Sequence, residues 1–112
     1  MHQTELFKER TETSAIDAEQ IVLYALGDFQ ARGKVLAERP LPLDRLRGAL
    51  RRAAEVFNVA ELDDNRAVAA LNALGADVRQ VPTFVAKHPF RVIVSAVLAE
   101  QSRLAYEEKQ EK

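Results

Sequence analysis

The sequence predicts an all-α fold, a compact bundle of about four main helices. Three observations lead there. Alanine, leucine, glutamate and arginine are abundant, while β-branched residues other than valine are few, a balance that favours helix. Apolar residues recur at spacings of three and four along several segments. Residues that start and stop helices, such as Ser14, Asp63, Gly75 and the Arg39-Pro40-Leu41-Pro42 run, fall at the ends of those segments.

Taken in order, residues 1–13 read as a polar N-terminal arm, 14–108 as a single helical domain and 109–112 as a charged tail. Ser14 is placed to cap the first helix, with Asp17 three residues on. That helix carries Ala18, Ile21, Val22, Ala25, Phe29 and Leu36 on one face, and Gly33 is where it breaks or kinks. Pro40 and Pro42 end it, because a proline lacks the amide donor and pushes its predecessor out of the α region. Leu43, Leu46, Leu50, Ala53 and Phe57 define a second helix ending near Asn58. Asp63 or Asp64 caps a third, in which Ala67, Val68, Leu71 and Leu74 face inward, and Gly75 closes it. Residues 77–87 read as a loop with a short helical turn, or as a strand through Val78 and Val81. Pro89 suits the first position of a last helix. Its apolar residues (Phe90, Ile93, Val94, Val97, Leu98, Leu104, Ala105) are backed by Val92, Ala96 and Ala99 on the opposite side.

Composition excludes several classes of function. The chain has 112 residues, 47% of them hydrophobic and 29% charged, as an ordinary globular domain has. There is no cysteine, hence no disulfide, thiolate metal site or cysteine nucleophile. Met1-His2-Gln3-Thr4-Glu5 does not read as a signal peptide, and the longest apolar run is too short to span a bilayer; a cytoplasmic location without membrane contact is expected. The two histidines, His2 and His88, have no ligand partners at metal-binding spacing, and the scattered glycines form no phosphate-binding loop. Ser95, read in mid-helix, lacks the strained turn of a nucleophile elbow. Neither cofactor nor enzymatic activity is expected.

Two kinds of function remain. The first is a protein-interaction module that associates with itself, because apolar residues lie outside the main helical stripes. The candidate interface is Leu23, Tyr24, Val92, Ala96 and Ala99. The alternative is a nucleic-acid-binding regulator. Net charge is only −1, but residues 32–52 hold seven basic and two acidic side chains. Within this segment Arg45, Arg47, Arg51 and Arg52 are the candidate anion contacts, although a helical wheel places them on both flanks of the apolar stripe, where their stems can simply cover the core edge.

The segment Arg51 to Val59, followed by Asp63 to Leu74, resembles the first helix, turn and recognition helix of helix-turn-helix proteins, with residues 76–95 supplying a wing. That resemblance implies DNA contacts from Asn65, Arg66 and Asn72. Against it, Glu61-Leu62-Asp63-Asp64 offers carboxylates where a DNA reader needs donors. Separately, residues 89–103, from Pro89-Phe90-Arg91 to Gln101-Ser102-Arg103, are similar to one helix of the endonuclease III and adenine glycosylase family. The cluster cysteines of that family have no counterpart in this sequence, so the likeness implies no enzyme.

Overall fold

The apolar stripe that begins at Ala18 is helical over residues 18–31 (α1) in a computed structural model, which describes residues 18–80 and 90–111. Ser14 and the arm 1–13 lie outside the described residues. Ile21, Val22, Ala25, Leu26 and Phe29 of α1 are buried. Gly33 ends the helix at φ 86°, a left-handed conformation open to glycine. Leu36, expected on the same helix, instead turns back into the core from the following loop.

Beyond the loop come a short strand at Leu41–Pro42 (β1), a 3-10 turn at Leu43–Leu46 and a helix at Arg47–Phe57 (α2). The segment expected as one helix from Leu43 to Asn58 is thus helical throughout, with a tighter first turn, and Asn58 closes it at φ 59°. Leu43, Leu46, Leu50 and Ala53 are buried as their spacing requires. The third helix, Asp64–Leu74 (α3), opens on Asp63, whose carboxylate accepts the Arg66 amide at 2.8 Å, and closes on Gly75 at φ 99°. Strands Asp77–Gln80 (β2) and Phe90–Ile93 (β3) follow, and a final helix spans Ala96–Glu111 (α4).

Two expectations are corrected. The fold is mostly helical but not all-α, for it contains a three-stranded antiparallel sheet in the order β1-β3-β2. Leu41 pairs with Val92 on one side of the central strand, and Val78 pairs with Val92 on the other. Residues 90–94, expected as the opening turns of the last helix, therefore supply the middle of the sheet. Their chemistry explains it: Val92, Ile93 and Val94 are β-branched. Alternation along the strand sends Val92 and Val94 into the core at 0% exposure. Of the two readings open for 77–87, a loop with a helical turn or a strand through Val78 and Val81, the strand holds for the first four residues; residues 81–89, Val81 among them, lie outside the described residues.

Ser95 then has a different role from the one expected. It caps α4, its Oγ accepting the Leu98 amide at 3.1 Å while its carbonyl accepts the Ala99 amide at 2.9 Å. The likeness of residues 89–103 to a single glycosylase helix fails with this correction, since the segment holds strand, cap and helix in turn.

Helix α4 lies against α1 through a close backbone approach. A methyl group added at Gly27 would stand 2.4 Å from the Ser102 carbonyl oxygen and 2.4 Å from Cβ of Tyr106. Beside it the Gln30 amide donates to the Ala99 carbonyl at 3.0 Å and to the Ser102 hydroxyl at 2.9 Å. Ser102, fully buried, donates in turn to the Ala99 carbonyl at 2.7 Å. These bonds satisfy polar groups that would otherwise be costly inside an apolar contact.

Candidate functional site

The basic segment divides into two groups once folded. Arg32 and Arg52 both reach Asp28 on α1, whose side chain is only 6% exposed. Arg52 approaches one carboxylate oxygen with Nε at 2.8 Å and Nη2 at 2.6 Å. Arg47 spans from the first turn of α2 to the start of α3. Its guanidinium donates to Glu61 at 3.0 Å, to the Leu62 carbonyl at 2.7 Å and to Asp64. Burial alone would lower the Arg47 pKa, but hydrogen bonds and charge from Asp64 and Glu61 outweigh it and hold the value above the ordinary one. Arg51 adds a looser pair with Glu61 at 3.7 Å. Three of the four candidate contacts, Arg47, Arg51 and Arg52, are therefore committed to bonds within the chain; Arg45 is exposed and makes no such pair among the described residues.

Lys34 and Arg39, which sequence reasoning does not single out, join Arg45 around one groove of 460 Å³. Phe29 and Leu41 form part of its wall, and neither Glu38 nor Asp44 lines it. No motif marks these residues in the sequence. Within residues 32–52 their distinguishing property is that they are the cations without an ion pair among the described residues, Arg32, Arg47, Arg51 and Arg52 being paired.

The same pairing alters α3. Ala67, Ala70 and Leu71 face the core, and Asn65, Arg66, Ala69, Asn72 and Ala73 lie on the other side, all five exposed. The carboxylates that precede this surface are spoken for: Asp63 by the helix cap, Glu61 and Asp64 by Arg47.

The self-association candidates do not form one surface. Val92 and Ala99 are buried in the core, Tyr24 is 5% exposed, Leu23 is half-buried and Ala96 is exposed at the start of α4. Tyr24 packs edge-on against Phe57, ring centroids 5.9 Å apart, and beside Tyr106 at 5.0 Å. Burial first, then the neighbouring Tyr106 and Asp28, push its hydroxyl above the ordinary tyrosine pKa, against a hydrogen bond from Gln110. The large apolar residues that α4 does leave exposed are Val97, at 68%, and Leu104, at 51%. Two turns apart, they share the outer face of the helix.

Among the described residues no group of His, Asp and Glu could hold a metal ion, and no helix is long and apolar enough to cross a membrane. No family model, curated protein or solved structure matches the chain.

Proposed function

We propose that the chain is a nucleic-acid-binding module of the winged helix-turn-helix type, presenting the outer face of α3 to the major groove of duplex DNA. The element order supports this reading: a helix, a strand, a helix pair, then a two-stranded ribbon whose second strand lies between the other two. Fold alone is a weak warrant for function. The observation that carries the reading is the chemistry of the α3 surface. Asn65 and Asn72 offer amides that match the adenine edge, Ala69 and Ala73 offer methyl groups for thymine, and Arg66 can reach phosphate. The acidic start of α3, the chief objection at the level of sequence, is partly offset from within the chain, where Glu61 and Asp64 pair with Arg47 and Asp63 is engaged as the helix cap.

The test is binding of fluorescently labelled duplexes of mixed sequence across a salt series. Binding is expected at low salt, weakening linearly on a log–log plot. Changing Asn65 and Asn72 together to alanine should flatten discrimination between sequences, by about 1–3 kcal/mol for each amide that reads a base. A wild-type protein that binds no duplex at low salt overturns the reading.

A second reading, self-association, rests on a different observation. Val97 and Leu104 form an exposed apolar stripe on α4, flanked by the Glu100–Arg103–Glu107 ion pairs. A two-fold pairing of α4 helices would cover it. The two readings are compatible, since a symmetric dimer presents two copies of α3 to two half-sites.

A further inference from the structure

We propose that the groove between the end of α1 and the start of α2, lined by Lys34, Arg39 and Arg45, is a phosphate-binding site. Under the duplex-binding reading, on which this assignment of its source rests, the groove takes the phosphodiester backbone. Of the seven cations in residues 32–52, four are consumed by Asp28, Glu61 and Asp64. The three left without an ion pair among the described residues all line the same cavity, and no carboxylate of the described residues lines it with them. In a chain of net charge −1, that convergence is not the overflow of a generally basic surface.

The backbone carrying these cations is held in place. Leu36 anchors the loop in the core at 1% exposure, and the Glu38 amide donates to the Val94 carbonyl at 2.6 Å. Gly33 at φ 86° and Glu38 at φ 59° set its two bends, while Pro40 and Pro42 restrict the backbone leading into α2. Part of the ordering cost of binding has therefore been met by folding. A cleft lined by one sign of charge also concentrates field lines on an incoming anion. Because the three residues are exposed, removing their charged heads should leave the fold intact.

The experiment compares the wild type with the triple variant Lys34→Ala, Arg39→Ala, Arg45→Ala and with the Asn65→Ala, Asn72→Ala variant. Each is first checked for an unchanged thermal melt, then titrated with one duplex over a range of salt. For the triple variant the log–log salt slope should become shallower by about 2–3, since each phosphate neutralised contributes about 0.9. The α3 variant should keep the wild-type slope. In parallel, inorganic pyrophosphate is titrated into the wild type and followed by backbone amide shifts. Shifts concentrated between Gly33 and Arg45, abolished in the triple variant, are expected. A wild type that ignores duplex but gives those shifts keeps the groove as a site for small phosphates and removes the nucleic-acid reading. Duplex binding with an unchanged slope in the triple variant removes the groove and leaves the reading standing. Neither duplex binding nor pyrophosphate shifts would overturn both.

Discussion

Asp28 decides much of how the arginines are distributed. Its side chain is almost enclosed, and an enclosed carboxylate is tolerable only with close donors, which Arg52 and Arg32 supply from α2 and from the end of α1. Replacing Asp28 with alanine should cost about 1.5–3 kcal/mol in chemical denaturation, the usual range for losing hydrogen bonds between charged groups. Arg51→Ala, at an exposed and looser pair, should stay within about 0.5 kcal/mol. Equal losses at the two positions would mean that the Asp28 contact does not tie α1 to α2. The contrast between Arg52 and Arg45 was not legible in the sequence. A helical wheel shows which flank an arginine occupies, but the carboxylate that receives it comes from an element far along the chain.

Among the elements, α2 and α3 were legible and β3 was not. Leu43, Leu46, Leu50 and Ala53 repeat with a period that no strand shares, and Asp63 and Gly75 bracket α3 with the caps its ends require. The run from Phe90 to Ala99 is apolar on both sides and so satisfies a helical period and an alternating one equally well. Three consecutive β-branched residues and the serine after them were the available signal, and length favoured the wrong choice. The α1–α4 contact was likewise unreadable, because Gly27 looks like a weak point in a helix until the second helix is laid against it. Gly27→Ala should destabilise by about 1–3 kcal/mol, the usual range for overpacking, although alanine is the better helix former. Hydrogen exchange should show the loss as faster opening of α4 ahead of α3. A neutral or stabilising effect would mean that the two helices are not held at the spacing described.

At the scale of the whole molecule, the exposed stripe on α4 makes a prediction about mass. Light scattering over a concentration series should report a dimer that Leu104→Glu converts to a folded monomer; a wild type monomeric at every concentration would leave that face without a second copy. The candidate residues Val92 and Ala99 cannot serve in such a test, since acidic substitutions there would disrupt the core itself. The position of β3 bears on biosynthesis. A ribosome delivers β1, both middle helices and β2 before the strand that belongs between β1 and β2. Until it emerges, the nascent chain holds two strand edges with no mate and a core without Val92 and Val94. Messages cut short after β2 would therefore yield a sticky fragment rather than a smaller working domain, and the stretch from Phe90 onward determines whether the elements made before it fold.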